Sequence, residues 1–373
     1  MSAMETIAAS ATTDLATTAM TVAACSGDGS VRIETRPRPT PGQGEMLLRL
    51  HVAGLCGTDL FKLRHAGALA GTVLGHEVVG SVAALGEGVA GFALGDRVVV
   101  PHHVACGACD LCRRGSEPSC PAFRENLLAP GGFSDWVLVR ERAVRLAAFG
   151  LPPSLQDEAA VFLEPAACVL RGVRLARLPE TALSGPSPGC VAILGGGSMG
   201  LLHLLVLKAV HPTLRVVVSD PLEERRELAQ RLGADAAVTP GGANAEVTAL
   251  SAGGCGADAV FDTVGGAGPL ETALALSRPG GAVVLFAHAD AGGGERAGFD
   301  LNAFFKSERR LLATYSSVLA EQREVYRLLV SGRLDPSPLV THRLPLSRFA
   351  AAVELARERR AVKVLLVPDE EQP

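Results

Sequence analysis

The sequence is poor in aromatic residues and in net charge, and both shortages exclude classes of function. Of its 373 residues, 1 is Trp and 2 are Tyr, and the formal net charge is −4. Surfaces that stack nucleic-acid bases need more aromatic side chains, and a chain without a basic field does not attract phosphate backbones. We therefore expect a small-molecule substrate and no nucleic-acid partner.

Long apolar runs and an export signal are also missing. No stretch reaches the ~18 uninterrupted apolar residues of a membrane span, so we expect no membrane partner. Residues 1–20 are rich in Ala and Thr and contain no Lys or Arg, whereas a secretory signal begins with basic residues and continues into an apolar core. We predict that residues 1–20 form a disordered extension.

The cysteine content bears on the compartment. The chain has 9 cysteines, an odd number for a long sequence in which no export signal is recognised. This count favours a reducing environment, where thiols bind metals or pack in cores and do not form disulfides. We expect a cytoplasmic protein.

The hydrophobic pattern changes near residue 155, which predicts two domains. Before that point short β-rich runs are separated by Gly and Pro, as in a small barrel or sandwich. One helix is predicted over 156–177. From Cys190 onward strands alternate with helices, which predicts an α/β domain with a doubly wound parallel sheet. A helix at 321–331 and a terminal strand at 362–367 do not continue this alternation, so they are expected to return to the first domain.

Two short motifs in the first domain contain ligand types that Zn²⁺ prefers. Gly-Leu-Cys-Gly-Thr-Asp supplies the thiol of Cys56, and Gly-His-Glu supplies His76 and Glu77. Three such ligands leave a fourth position for water or substrate, as in catalytic zinc sites. Asp59 is placed to orient His76 from behind. The alternative interpretation is a buried cysteine, a core histidine and an unrelated surface carboxylate.

A cluster of four further cysteines predicts a structural metal site. Cys106, Cys109, Cys112 and Cys120 follow the spacing C-x₂-C-x₂-C-x₇-C. Four thiolates this close in sequence can enclose one tetrahedral Zn²⁺ with no open position. Disulfides and an iron–sulfur cluster are the alternatives. Disulfides conflict with the expected compartment, and the common iron–sulfur run C-x₂-C-x₂-C-x₃-C ends with a different spacing.

A glycine-rich turn follows the first strand of the second domain. It has the pattern G-x-G-x-x-G at Gly195, Gly197 and Gly200, with Ser198 and Met199 inside it. The turn lies between a predicted strand and a predicted helix, where glycines let a dinucleotide pyrophosphate approach the helix N-terminus. A purely structural glycine loop is the alternative.

The next strand ends at Asp220, whose carboxylate can bind the adenosine ribose diol and would repel a 2′-phosphate. This favours NAD over NADP. Arg225, a candidate cofactor-binding residue, and Arg226 point weakly toward NADP, but their simplest interpretation is a solvated helix face.

Together with Glu164-Pro165, these motifs resemble in content and order the zinc-dependent medium-chain dehydrogenases/reductases. The resemblance covers about residues 21–368 and is closest to the polyol branch of sorbitol, cyclitol and threonine dehydrogenases. It implies a GroES-like catalytic domain of residues 21–165 and 319–373. It also implies a Rossmann coenzyme domain of residues 166–318 inserted between those parts, and a dimer or tetramer.

The resemblance also implies roles for single residues. Cys56 and His76 match ligands of the catalytic zinc, and Glu77 matches the adjacent carboxylate. Glu164 matches a glutamate that stands near the metal directly or through water, so the third protein ligand is either Glu77 or Glu164. Thr58 matches the hydroxyl of a proton relay.

The relay contains one departure from the family pattern. Many members have a histidine three residues after the relay hydroxyl, but here that position is Phe61, which carries no proton. His51 and His65 are nearby in sequence and are expected to be structural.

The implied reaction is hydride transfer between a secondary alcohol, of the polyol, cyclitol or amino-alcohol class, and NAD. One catalytic and one structural zinc per chain are implied. Two alternatives use the same fold: a zinc-free quinone or enoyl reductase, and a non-catalytic NAD-binding protein.

Overall fold

The computed structural model of the protein describes residues 19–64, 69–178, 189–288 and 297–369. His65 and residues 1–18 of the predicted extension lie outside these ranges. Ala19 and Met20 belong to the first strand, so the extension was predicted two residues too long. Met20 is buried, and burial of this kind opposes disorder at that point.

In the described ranges the strands are β1 (Ala19–Cys25), β2 (Val31–Pro37), β3 (Met46–Gly54), β4 (Glu77–Leu85), β5 (Arg97–Pro101), β6 (Leu128–Ala129), β7 (Trp136–Val139), β8 (Phe149–Gly150), β9 (Cys190–Leu194), β10 (Arg215–Ser219), β11 (Ala236–Val238), β12 (Ala257–Asp262), β13 (Ser277–Leu285), β14 (Arg310–Ala313), β15 (Val340–Pro345) and β16 (Lys363–Val367). The α-helices are α1 (Gly57–Arg64), α2 (Asp110–Arg113), α3 (Glu141–Ala147), α4 (Asp157–Ala160), α5 (Leu163–Ala176), α6 (Ser198–Val210), α7 (Glu223–Arg231), α8 (Ala243–Leu250), α9 (Ala267–Leu276), α10 (Leu301–Ser307), α11 (Leu319–Val330) and α12 (Phe349–Arg357).

The second domain is built on a parallel sheet with the order β11-β10-β9-β12-β13-β14. All five side chains of β9 are buried, as expected for a strand covered by helices on both faces. The order reverses between β9 and β12. A crevice therefore opens at the carboxyl end of β9, and in doubly wound sheets ligands bind there.

The first domain is built on a mixed sheet with the order β15-β16-β3-β4-β5-β8, to which β7 and β6 add at β3. β3 and β4 are antiparallel, and their register pairs Gly54 with Glu77. β16 pairs on the other side of β3, with Leu365 opposite Gly54. The terminal strand thus returns to the first domain, as expected.

The helix predicted over 156–177 is interrupted, which corrects that prediction. α4 ends at Ala160 and α5 begins at Leu163. Pro165 explains the break, because proline has no N–H and its ring clashes with the carbonyl four residues earlier in a helix interior. Proline is tolerated in the first turn, so the helix restarts just before it and Glu164 lies in that first turn.

None of the helices in the described ranges combines the length and the apolar composition needed to cross a membrane.

Candidate active site

Cys56, His76 and Glu77 meet where β3 ends and β4 begins. Because Gly54 pairs with Glu77 across the two strands, the loop that carries Cys56 lies beside the Gly-His-Glu segment. One thiol, imidazole or carboxylate atom from each residue lies within 4.8 Å of the other two. The structure therefore brings together the three ligand types that the two motifs contain.

Asp59 orients His76, as the sequence suggested. Its Oδ1 lies 3.3 Å from His76 Nδ1, and the Asp59 side chain is fully buried. Asp59 Oδ2 accepts a hydrogen bond of 3.1 Å from the Cys56 backbone N–H. With its Nδ1–H held by a carboxylate, the ring keeps the Nε2 lone pair for a metal.

The charge around His76 favours a cation. Burial alone would lower the pKa of His76, but the charges of Asp59 and Cys56 outweigh burial, and the pKa lies well above its usual value. A proton is thus retained in the zinc-free protein because the Asp59 carboxylate lies beside the ring. A bound Zn²⁺ would meet the same demand.

Glu77 is almost fully buried and forms an ion pair with Lys363, the first residue of β16. The partner of the ion pair is Glu77 Oε2, whereas Oε1 has no hydrogen-bond donor among the described residues. A Cβ at Gly54 would lie 1.9 Å from Oε2, so glycine is required for the carboxylate to fit there. The buried oxygen without a donor is suited to a metal.

Glu164 lines a cavity next to the metal site. In the described residues it is not part of the cluster of possible metal-ligand atoms that Cys56, His76 and Glu77 form. Its Oε1 accepts a contact of 3.4 Å from Cys168 Sγ. Burial raises the pKa of Glu164, and the nearby Glu77 charge adds to the effect. Glu164 therefore faces the space in front of the metal site.

Two cavities adjoin the metal site. One, of about 390 Å³, contains Thr58, His76 and Glu164 in its wall. The other, of about 880 Å³, follows the glycine-rich turn. Cys56 and Met199 line both cavities. We call the first the substrate cavity and the second the coenzyme groove.

His51, the described member of the two histidines near the relay, has the structural role that the sequence suggested. His51 Nδ1 lies 2.8 Å from Asp157, and Nε2 lies 2.7 Å from Ser81 Oγ. Both ring nitrogens are therefore occupied, and His51 is structural. Phe61 stacks on His288 at 4.6 Å between ring centroids, which joins the two domains at the cavity.

Sequence reasoning missed His102 and His103. Their rings form a row of tilted contacts that begins at His76, with centroids 4.6 Å apart for His76 and His102 and 3.6 Å apart for His102 and His103. Burial lowers the pKa of His102 well below its usual value and that of His103 to about 4. No sequence pattern pointed to them, because their position depends on the β4–β5 pairing, which places Pro101 opposite Glu77.

The four cysteines of the second motif converge as predicted. The Sγ atoms lie 3.5 Å apart for Cys109 and Cys112, 3.9 Å for Cys106 and Cys112, and 3.5 Å for Cys120 and Cys106. These separations exclude the ~2.05 Å of a disulfide and suit four thiolates around one ion. Backbone N–H groups, first that of Ala108, lower the pKa of Cys106 to about 6.

The glycine-rich turn fits a dinucleotide. A Cβ at Gly200 would lie 1.8 Å from the carbonyl oxygen of Gly195, and Gly195 itself has φ +96°. These two glycines are required by the tight turn. A Cβ at Gly197 would meet no atom within 4 Å, and Gly197 lines the coenzyme groove together with Ser198, so its small size leaves space for a ligand.

Asp220 lines the same groove, and its oxygens accept hydrogen bonds from the backbone of Gly196 (2.7 Å) and Leu222 (2.8 Å). Arg225 is not on a solvated helix face, which corrects that interpretation. It is 6% exposed, and its Nη2 donates to the carbonyls of Arg359 and Ala361. α7 packs beneath the C-terminal segment, so the side chain is covered.

Comparisons with known proteins agree with this arrangement. Residues 42–148 match the alcohol dehydrogenase GroES-like domain, and residues 198–331 match the zinc-binding dehydrogenase family. The L-threonine 3-dehydrogenase of Pyrococcus horikoshii is 31% identical over 88% of this chain and 92% of its own. The sorbitol dehydrogenase of Halalkalibacterium halodurans is 27% identical over 92% of this chain and 97% of its own. The solved structure of alcohol dehydrogenase TADH from Thermus sp. ATN1 aligns with a TM-score of 0.81 and 31% sequence identity. The alignment covers 94% of this chain and 100% of the TADH chain.

Proposed function

This chain belongs to the zinc-dependent medium-chain alcohol dehydrogenase superfamily, with a GroES-like domain and a Rossmann-like domain, and from that premise we propose that it oxidises a secondary alcohol with NAD. The observation that carries the proposal is the position of Cys56. It belongs to the cluster of metal-ligand atoms and lines both the substrate cavity and the coenzyme groove. A metal held there would adjoin substrate and coenzyme at once.

Cys56, His76 and Glu77 would hold the catalytic zinc, and the buried Glu77 Oε1 supports this choice of third ligand. When bound, the zinc supplies Lewis-acid activation of the substrate hydroxyl. Glu164 then remains in the cavity wall, where its carboxylate can accept a hydrogen bond from a substrate hydroxyl or from water. Replacing Glu77 by Gln should remove the zinc, whereas Glu164→Gln should retain it and lower turnover.

Thr58 would receive the proton of the substrate. It lies in the first turn of α1, two residues after Cys56, and lines the substrate cavity. Its Oγ1 can accept a hydrogen bond from the substrate hydroxyl and donate one onward to water. The ring of Phe61 excludes a side-chain relay through position 61.

Asp220 supports NAD as the coenzyme. The residue is 9% exposed and lies in the wall of the coenzyme groove, where a 2′-phosphate would meet a fixed negative charge. Gly195, Gly197, Met199 and Gly200 would surround the pyrophosphate and the ring end of the same coenzyme. A comparison of kcat/KM for NAD⁺ and NADP⁺ tests this assignment, and a preference for NADP⁺ would refute it.

The remaining assignments are part of the same proposal. The four-cysteine cluster would hold a second, structural zinc. Residues 21–165 and 319–373 would form the catalytic domain and 166–318 the coenzyme domain, which the pairing of β16 with β3 supports. The exposed apolar side chains Leu301 and Phe305 support a homo-oligomer. A cytoplasmic location stays a prediction from the cysteine content.

The central test is Cys56→Ser with Cys255→Ser as its matched control, since Cys255 is exposed and lines neither cavity. Metal analysis of the unmodified protein should give two zinc ions per chain. Cys56→Ser should retain one zinc and lose NADH formation with secondary alcohols. Unchanged turnover in Cys56→Ser would favour the zinc-free reductase on the same fold.

A further inference from the structure

The substrate cavity has an unbalanced charge lining. Five basic residues line it besides the metal-ligand candidate His76: Lys62, Arg64, His102, His103 and His288. In the described part of the chain, Glu164 is the single acidic residue of the wall. A ligand in this cavity therefore meets more basic side chains than acidic ones, and Lys62 and Arg64 are the permanently charged ones.

Among these residues, Lys62 lies nearest in sequence to the proposed proton acceptor Thr58 without being a metal-ligand candidate. It lies four residues after Thr58 on α1, so the two side chains share one face of the helix, and both line the substrate cavity. The Lys62 ammonium and the Thr58 hydroxyl therefore belong to the wall of one cavity.

Lys62 has no ion-pair partner in the described residues. The other lysines that lie in or near a core do have partners: Lys208 pairs with Asp235, and Lys363 pairs with Glu77. A partly buried ammonium with no carboxylate in ion-pair contact is a poor arrangement for the free protein but a good one for binding an anion.

We propose that the substrate alcohol carries an anionic group, a carboxylate or a phosphate, which Lys62 binds while the hydroxyl lies at the Cys56 and His76 end of the cavity. The inference rests on the proposed dehydrogenase function and narrows its substrate class. An amino alcohol without an anionic group would bring its ammonium against Lys62. A neutral polyol would leave Lys62 unpaired.

The test uses matched alcohols that differ in charge. 3-Hydroxybutyrate, 2,3-butanediol and 1-amino-2-propanol form the carboxylate series, and glycerol 3-phosphate and glycerol form the phosphate pair. Each is assayed for NADH formation with the zinc-loaded protein. The anion should exceed the neutral alcohol in kcat/KM by roughly 10-fold or more within at least one series, because a charge-assisted hydrogen bond contributes ~1.5–3 kcal/mol. The series in which this occurs distinguishes carboxylate from phosphate.

Variants at Lys62 link the preference to this side chain. Lys62→Gln should lower the ratio of anion to neutral kcat/KM about 10- to 100-fold, and Lys62→Arg should keep most of the ratio. Lys306→Gln is the control, since Lys306 is exposed on α10 and lines neither cavity. A ratio that Lys62→Gln does not change would overturn the inference.

The outcomes separate the inference from the function on which it rests. Oxidation of 2,3-butanediol or glycerol at a rate equal to or above that of the anions would leave the dehydrogenase function standing and refute the anionic substrate. Turnover of no compound would count against the dehydrogenase function. In that case calorimetric Kd values of the NAD-loaded protein for the same compounds decide the inference, and equal affinities for anion and neutral alcohol would refute it.

Discussion

Replacing Lys363 by Met would remove the positive charge buried against Glu77 while keeping a side chain of similar length. The Lys363 and Glu77 side chains are 2% and 0% exposed, so neither charge is compensated by water. Removing one partner of such a pair costs about 3–5 kcal/mol, because the other charge is left alone in the interior. We expect a stability loss of this size in the zinc-free protein.

The loss should be smaller when zinc is bound. A Zn²⁺ held by Cys56, His76 and Glu77 compensates the Glu77 carboxylate, and it no longer meets the repulsion of the Lys363 ammonium. If zinc recovers about 2 kcal/mol of the loss, a thermodynamic cycle requires the Kd for zinc to fall about 30-fold in the variant. Removing a cation would thus weaken the fold and strengthen metal binding.

The single tryptophan provides the assay. Trp136 lies in β7, which pairs with β3, so its fluorescence reports on the sheet that carries the metal site. Urea unfolding of the zinc-free and zinc-loaded proteins gives the two stabilities, and competition with a chelator gives the zinc affinity. Lys306→Met is the control. A loss below about 1 kcal/mol in the zinc-free variant, or an equal loss in both states, would refute the reasoning.

Other perturbations have equally definite outcomes. The raised pKa of His76 means that zinc must displace a proton, so the apparent zinc affinity should rise by at least about tenfold per pH unit until that pKa is passed; a pH-independent affinity would contradict this. Burial lowers the pKa of His203 to about 4, so the folded state favours the neutral ring. The stability linked to this neutral ring is complete above pH ~6.5 and is lost as the pH falls, by up to about 3 kcal/mol of unfolding free energy. His203→Phe, beside Phe286, should flatten the decline in urea stability between pH 6.5 and 4.5. Gly200→Ala places a Cβ 1.8 Å from Gly195 O and should raise the Kd for NADH at least tenfold by fluorescence titration; near-normal binding would show that the turn can move.

Local sequence patterns were sufficient for the groups that act through their immediate neighbours. The glycine-rich turn is a strand–turn–helix feature, and Cys106 to Cys120 span one short segment, so their spacing predicts their proximity. Cys56 and His76 are farther apart, but they flank two strands that pair, and the family resemblance supplied that connection.

The residues that were missed or misread depend on contacts between distant segments. Lys363 reaches Glu77 because β16 joins β3 from the far end of the chain. His102 reaches His76 through the register of β4 and β5. Arg225 has the sequence setting of an exposed helix, and only the path of the C-terminal segment over α7 buries it. Periodicity and motifs contain no information about such pairings.

Arg225 donates hydrogen bonds to the carbonyls of Arg359 and Ala361 and so fixes the backbone just before β16. Two residues beyond Ala361, the same backbone carries Lys363 to Glu77. Arg225 and Lys363 both line the coenzyme groove, so this segment contacts the groove at one end and the Glu77 carboxylate at the other. Binding free energies linked in this way are reciprocal: to whatever extent the coenzyme shifts the metal affinity, the metal shifts the coenzyme affinity by the same factor.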